Sequence, residues 1–514
     1  MHRAVSRLVV FAALAVAACT HDDQSSGLTA PNGTKALAKT PETGFLTSQP
    51  AQARGLLPEA TVTPILTSGD LLPGSNEPWA PTPDGLGAFE QGGKLYVFAN
   101  HELTAAGVTS NNGGTPFQFA RVSRLAIDPG SLRVLEGSYV ENGSTQLIRL
   151  CSATWVNEST GFSTGYFLTG EEQGNTANGS TVVAYDRNGV KKLLPQLGAF
   201  SHENTIGVPG FDGKVVVMGF DDTAGASELY MYVANNEQDV LAGNGKLYVL
   251  KTDALTAGGT RLHSGNLAEG QPVDAYFVEI ADPADLAAAP TTRSTRLQNK
   301  VDALQAMPFV RIEDGDYDKN SLGSPAIYFV DTGSETVTGR TQVNASCGGP
   351  CDRAGSLYRV DWNSQDPLGG VRVQLVKRSQ GAATGWASPD NIATTRKSIM
   401  IMEDPAYSGF DGSRPPAIWN SRFIGGGKEV GEATKVVEVT QEQLVPGAAG
   451  KCVDALGQCW ETSGIISTAD WLGAGTWLFD VQAHTLPFNV TKNGVTSHYV
   501  NESGQLLYLR LPGS

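Results

Sequence analysis

Acidic and amide residues recur in one setting along this chain, at the edge of a short apolar run. The segments are Asn100-His101-Glu102, Gly170-Glu171-Glu172, Ser201-His202-Glu203-Asn204, Arg311-Ile312-Glu313, Pro389-Asp390-Asn391 and Met402-Glu403-Asp404. Taken singly, each reads as an ordinary solvated acid. Their shared form is the signal: oxygen donors gathered at strand ends suit hard cations such as calcium. Only seven His occur in 514 residues, which argues against a zinc or copper site built from imidazole. A thiolate added to such carboxylates admits iron. Of the six cysteines, Cys347/Cys351 and Cys452/Cys459 are close pairs and disulfide candidates in an exported chain. Cys347-Gly-Gly-Pro-Cys351 also reads as half a zinc site, but no His or second Cys pair stands at the right spacing. Cys151 is left odd, either a small buried hydrophobe or a thiolate with a chemical task; on residue type alone, burial is the stronger reading.

Three familiar patterns fail on inspection. Gly161-Phe162-Ser163-Thr164-Gly165 has the spacing of a serine-hydrolase elbow, yet it precedes a strand instead of opening a helix. Asp314-Gly-Asp316-Tyr-Asp318-Lys-Asn320 imitates the start of an EF-hand loop, but Pro325 stands where the twelfth-position Glu belongs, so a solvated acidic turn is the better reading. Glycine-rich nucleotide loops are absent.

The elements that must carry these donors are short strands. Leu-Tyr recurs at Leu95-Tyr96, Leu229-Tyr230, Leu247-Tyr248, Leu357-Tyr358 and Leu507-Tyr508, and related cores appear at Ala275–Val278 and Ile327–Val330. Sixty Gly and 27 Pro disfavour long helices, and the turns between runs carry Gly, Asn and Asp. This pattern predicts an all-β fold, a β-propeller of about six blades with loop and helical insertions. Residues 254–306, rich in Ala, Asp and Leu, read as an insertion with some helix. The balance of 37 Lys+Arg against 52 Asp+Glu, net −15, argues against nucleic acid as a partner and fits a protein that holds cations.

The N-terminus carries an address. Arg3 and Arg7 precede the apolar run Leu8–Ala18, and Val16-Ala17-Ala18-Cys19 resembles a bacterial lipobox, with Cys19 the lipidated residue. The run is too short to span a bilayer. Residues 1–19 are therefore expected as a lipoprotein signal, 20–55 as a flexible tether and 56–514 as one propeller domain. The absence of Asp after Cys19 favours the outer membrane of a bacterial envelope, with the domain facing the periplasm or the cell surface.

In order along the chain, these segments resemble the PhoX-type alkaline phosphatases. The stretches are Tyr96-Val-Phe-Ala-Asn100-His101-Glu102, Cys151-Ser-Ala-Thr, Leu168-Thr-Gly-Glu171-Glu172 and Gly198-Ala-Phe-Ser-His202-Glu203. They continue with Val215 to Asp221-Asp222, Leu229-Tyr230, Pro308-Phe-Val-Arg311-Ile-Glu313, Gly355-Ser-Leu-Tyr358-Arg and Pro389-Asp390-Asn391. The likeness spans roughly residues 60–485.

The resemblance implies a propeller channel holding iron and calcium, with Cys151 as a thiolate ligand instead of packing. It implies Glu203 and Glu313 as carboxylate ligands, and Glu172, Asn100 and Asp390 as ligands of iron or calcium. Glu403 and Asp404 join that set. Arg311 would face the phosphoryl group of a small phosphate ester, with His202 and Asn391 beside it. Strand alternation allows only one of Glu171/Glu172 to point inward, and the resemblance selects Glu172. The expected activity is hydrolysis of phosphate esters by a monomer that meets the membrane only through its N-terminal lipid. A different class also fits the residues: a non-catalytic, calcium-stabilised propeller lipoprotein that serves as a binding or assembly module. A calcium propeller acting on lactones or phytate would share the cations without needing Cys151.

Overall fold

Each short apolar run, closed by a polar turn, folds into an antiparallel hairpin that buries one face against the next sheet. The computed structural model divides the chain into two units, Met1–Glu42 and Thr43–Ser514. The described residues are 44–223, 227–280, 282–321, 323–334, 352–405, 414–425, 427, 429–445 and 459–514. The expected signal segment with Cys19, and Cys347, Cys351 and Cys452, lie outside them. Cys459 is disulfide-bonded. No helix among the described residues is long and apolar enough to cross a membrane.

Most of the described strands form six antiparallel sets in a propeller-like arrangement, and Phe488–Lys492 with Val495–Tyr499 makes a separate hairpin. The first is Pro83–Gln91, Lys94–His101, Arg121–Ile127 and Val134–Asn142, and the second Leu150–Val156, Tyr166–Glu171, Val182–Asp186 and Lys191–Leu194. The third is His202–Val208, Val215–Asp221, Leu229–Ala234 and Lys246–Lys251. The fourth is Ile312–Tyr317, Ala326–Asp331, Ser356–Trp362 and Val371–Arg378. The fifth is Pro389–Thr394, Ser398–Glu403, Ala417–Ile424 and Glu429–Val439. In the sixth, Glu461–Ser467, Thr476–His484 and Glu502–Arg510 are completed by Thr61–Thr67 from the other end of the domain, with Thr61 opposite Arg510. The first strand of each set touches the first strands of its two neighbours, and the contacts run round the ring without a gap. Pairing the two ends in one sheet leaves the ring no open seam.

The layers between sets are apolar. Between the first and second, Phe89 stacks on Trp155 at 4.5 Å and Phe98 on Phe167 at 5.3 Å. Burying a large side chain of this kind contributes roughly 1.5–3 kcal/mol.

Two expectations about boundaries change. The tether does not extend to residue 55: Phe45 bridges Val134, and Ala53–Gly55 pairs with Val437–Val439 as an added strand of the fifth set. Polar composition had disguised a segment whose backbone is recruited by a sheet edge. The insertion at 254–306 does carry the helices Pro283–Ala287 and Arg293–Leu304. It also contributes the strand Val273–Glu279, which pairs with Lys246–Lys251 on one side and Val371–Arg378 on the other, joining the third and fourth sets.

Candidate metal centre

Every inner strand is interrupted near its start. Pro83 pairs with His101, but Leu86 pairs with Ala99, so the inner strand advances one residue further than its partner. The same shift falls between Leu150 and Ala153, His202 and Thr205, Ile312 and Gly315, and Pro389 and Ile392. In the sixth set it falls between Ser463 and Ile465. A bulge of this kind re-aims a side chain. The residues it carries are Asp84, Cys151, Glu203, Glu313 and Asp390. In four sets the residue just before the inner strand is left-handed: Thr82, Arg149, Arg311 and Ser388, with φ of 49°, 47°, 59° and 49°. For non-glycine residues this conformation costs of order 1–3 kcal/mol, so the ring holds it in place. Glycine is required where inner backbones meet: a Cβ on Gly85 would lie 2.3 Å from the Ala153 nitrogen.

The partner strand supplies a second tier by alternation. Its last residue, His101, Glu171, Asp221, Asp331 or Glu403, is fully buried in the blade. The residue after it, Glu102, Glu172, Asp222, Thr332 or Asp404, lies on the opposite side.

Donor atoms from both tiers converge into three overlapping triads, Asp84–Glu102–Cys151, Cys151–Glu172–Glu203 and Glu203–Glu313–Asp390, each within 4.8 Å. Cys151 and Glu203 each belong to two of these triads, so each would be available to an ion held at either. The Cys151 Sγ lies 2.9 Å from Glu172 Oε2. The Ser152 hydroxyl donates to Glu203 at 2.6 Å, and Gln482 Nε2 donates to both Asp84 and Glu102 at 3.1 Å.

Burial raises the proton affinity of the whole group. Asp84 is pushed up to about 8 by burial and by Glu102. Burial lifts Glu172 to about 8 against the opposing charge of Arg149. Burial raises Glu203, Glu313 and Asp390 well above the usual carboxylate range, helped by Glu313 and Glu172 at Glu203, by Asp222 and Glu172 at Glu313 and by Glu203 and Glu313 at Asp390, and burial with Glu102, Glu172 and Glu203 raises the Cys151 thiol. Acids packed this closely ionise together only when cations lie among them. The donor set thus fits metal ions: mostly carboxylate oxygen, with one sulfur.

Two guanidiniums stand beside the acids. Arg311 is bidentate on Asp222, with Nε and one terminal nitrogen each at 2.8 Å, and lies 3.3 Å from Glu313. Arg149 reaches Glu172 at 2.5 Å and Glu102 at 3.0 Å, and its side chain is 39% exposed.

Several expected residues have other tasks. His202 Nε2 faces the carbonyls of Ser180 and Gly198, its ring packs on Phe200 at 3.8 Å, and burial lowers its pKa to about 4. Alternation that sends Glu203 inward sends His202 into the blade, so it is not a substrate group. Glu403 is clamped by Arg414, at 2.6 and 2.7 Å, and by the amides of Ala387 and Ala417. With both oxygens occupied it is not a metal ligand, whereas the charge of Asp404 acts on Arg311 and Glu313. Asn391 donates to Ser152 at 2.5 Å, supporting the hydroxyl that holds Glu203. Asn100 donates to the Cys151 carbonyl at 2.5 Å and to Thr169 at 2.8 Å, and its oxygen accepts no hydrogen bond. Glu171 accepts from Thr176 and Asn178. Asp84 and Arg149 lay in none of the segments singled out, and Glu102 and Asp222 lay in them without an assigned role. The signal for the latter two was the repeated apolar strand ending in two polar residues, the second facing the channel.

The model of the family described as alkaline phosphatase PhoX matches residues 180–415. A search of curated protein sequences finds no match. Among solved structures, PhoX of Pseudomonas fluorescens in complex with vanadate, a transition state analogue, is 13% identical with a TM-score of 0.61, covering 92% of this chain and 98% of that one. An α-L-arabinanase of Penicillium chrysogenum is 11% identical with a TM-score of 0.38, covering 86% of this chain and 98% of that one. The family match over residues 180–415 and the shared fold bear out the resemblance of this chain to the PhoX-type alkaline phosphatases.

Proposed function

We propose that this chain is a metal-dependent phosphatase that hydrolyses small phosphate esters. The observation that carries the reading is the meeting of six carboxylates and one thiol in a buried cluster with Arg149 and Arg311 beside it. A phosphate monoester is a dianion, which bare carboxylates would repel, so the acids must be overcompensated by cations before substrate enters. Bound metal ions supply a nucleophile and stabilise charge on the attacking and leaving oxygens. The two triads containing Cys151 suit iron, and the all-oxygen triad Glu203–Glu313–Asp390 suits calcium.

The chain's own residues do the rest. Arg311, oriented by Asp222, offers planar donors to the phosphoryl oxygens. Arg149, tied to Glu102 and Glu172, offers a second. Ser152, held by Asn391, fixes Glu203, and burial keeps bulk water from the acids. The Cys19 segment supports a lipid-anchored protein of the bacterial envelope, at the outer membrane. Hydrolysis of p-nitrophenyl phosphate by the purified protein, with iron and calcium counted per chain, tests the reading. Activity lost in both Cys151→Ala and Arg311→Ala supports it. Full activity in both overturns it, and calcium without iron or hydrolysis favours the binding-module alternative.

A further inference from the structure

In five of the sets the second strand ends opposite the residue just before the bulge. In the sixth, Ser463 before the bulge pairs with Asp480, and the strand runs on to His484. Val481 and Ala483 enter the apolar layer on one side, so Gln482 and His484 share the opposite face. Gln482 is the residue that donates to Asp84 and Glu102. His484 stands two residues further along, about 7 Å at the usual rise of a strand, and its side chain is 23% exposed. It therefore lies above the acids, toward the open end of the channel.

Two carboxylates hold the His484 ring. Its Nδ1 meets Glu502 Oε2, opposite it on the third strand, at 2.8 Å, and its Nε2 lies 3.5 Å from Glu461 Oε2. The first is a made hydrogen bond and the second is too long for one, so the Nε2–H is available to a closer acceptor. Burial opposes charge on the ring, but Glu461 and Glu502 outweigh it and raise its proton affinity well above the usual value. Glu461 ties the ring to the channel: burial and the charge of Asp404 raise its carboxyl, His484 opposes them, and Glu102 adds to the rise. Asp404 also acts on Arg311, and Glu102 pairs with Arg149. Arg149, Arg311 and His484 thus rise from the second, fourth and sixth sets, each between two acids.

An ester drawn to the buried cluster enters phosphoryl end first, and its alcohol then points outward past His484. We propose that His484 is the general acid of the reaction, its Nε2–H protonating the ester oxygen as it leaves, which fits the site to phosphate esters of aliphatic alcohols. Their alkoxides are poor leaving groups and need that proton. The inference rests on the phosphatase reading and deepens it. Water supplies the oxygen that bonds to phosphorus. The bond from phosphorus to the ester oxygen breaks with its electron pair on that oxygen, which takes the Nε2 proton and departs as the alcohol. Glu502 keeps Nδ1 hydrogen-bonded throughout, the arrangement that holds an imidazole in aim for proton transfer. The proton released by the attacking water returns through the exposed mouth to restore the Nε2–H.

The test compares two substrates that differ in the basicity of the departing oxygen: p-nitrophenyl phosphate, whose nitrophenolate leaves without a proton, and glycerol 2-phosphate, whose alkoxide does not. In the full-length protein, His484→Gln should lower kcat for glycerol 2-phosphate about 10²-fold or more, and the loss on p-nitrophenyl phosphate should be smaller by at least about tenfold, at unchanged metal content. Glu502→Gln leaves the ring in place and removes one of its two carboxylates. The alkaline limb of kcat for glycerol 2-phosphate should then move to lower pH, since the acid form is lost sooner. Should His484→Gln fail to fold, Glu502→Gln decides. Equal losses on the two esters in His484→Gln, an unmoved alkaline limb in Glu502→Gln, or a parent that hydrolyses p-nitrophenyl phosphate alone would overturn the role of His484 while the phosphatase reading stands. A parent that hydrolyses neither ester overturns both.

Discussion

Removing the Arg311 guanidinium should cost far more than one ordinary hydrogen bond. In the resting site it makes two parallel bonds to Asp222, both 2.8 Å, and a third contact to Glu313 at 3.3 Å. Asp222 fixes the plane of the fork, which orients the guanidinium toward phosphoryl oxygens. Each charge-assisted bond to the phosphoryl group is worth about 1.5–3 kcal/mol, so losing one to two of them removes about 1.5–6 kcal/mol of transition-state stabilisation, centred on roughly 3–4 kcal/mol. At 1.36 kcal/mol for each factor of ten, Arg311→Ala should lower kcat/KM for p-nitrophenyl phosphate about 10²- to 10³-fold. Arg311→Lys keeps the charge but not the fork, and should recover only part of the loss. Steady-state kinetics on both variants, with metals counted in the same samples, supply the measurement. A kcat/KM within about threefold of the parent at unchanged metal content would refute the reasoning.

Further outcomes follow from other parts of the molecule. Cys151→Ser should lower iron content and hydrolysis together while leaving the fold intact, as seen by unchanged far-ultraviolet circular dichroism. Gly85→Ala places a Cβ 2.3 Å from the Ala153 nitrogen and should destabilise by about 1–3 kcal/mol, read in urea unfolding. Glu141 is held below the usual carboxylate range because hydrogen bonds from Lys191 and Thr145 outweigh its burial. A depressed carboxyl stabilises above its unfolded value, here 4.5, and that stability is lost as pH falls through the lower folded value. Glu141→Gln should therefore flatten the fall in melting temperature below pH 4.5. Prolonged chelation of the parent should abolish hydrolysis and lower the melting temperature, and a melting temperature unmoved by chelation would contradict metal-held acids.

Much of the fold was legible because it is local. All five Leu-Tyr pairs lie inside strands, and the Gly, Asn and Asp turns separate them as expected. The odd cysteine was not legible in this way: on residue type alone burial was the stronger reading for Cys151, and only the resemblance made it a candidate ligand. What sequence could not supply was parity. Glu403 and Asp404 are adjacent acids, and only strand register tells which one meets Arg414 and which one the channel. His202 beside Glu203 failed on the same point. Arg149 looked like any surface arginine until the left-handed turn before the second inner strand carried it to Glu172. Asp84 was hidden because Pro-Asp-Gly reads as a turn, although it repeats the geometry of Pro389-Asp390-Asn391. The end of the tether was missed because strand recruitment by Val437–Val439 leaves no mark on Ala53–Gly55 itself.

The seam between Thr61–Thr67 and Glu502–Arg510 sets a timetable for the cofactor. The first carboxylate of the cluster, Asp84, is made early, yet its neighbour on the closing side arrives only with the sixth blade and Gln482. Until the ribosome has finished nearly the whole polypeptide, the pocket has a missing wall. On the metal-dependent reading proposed above, the ions would enter a pocket completed only at ring closure, so the compartment the finished chain then occupies would choose the metals.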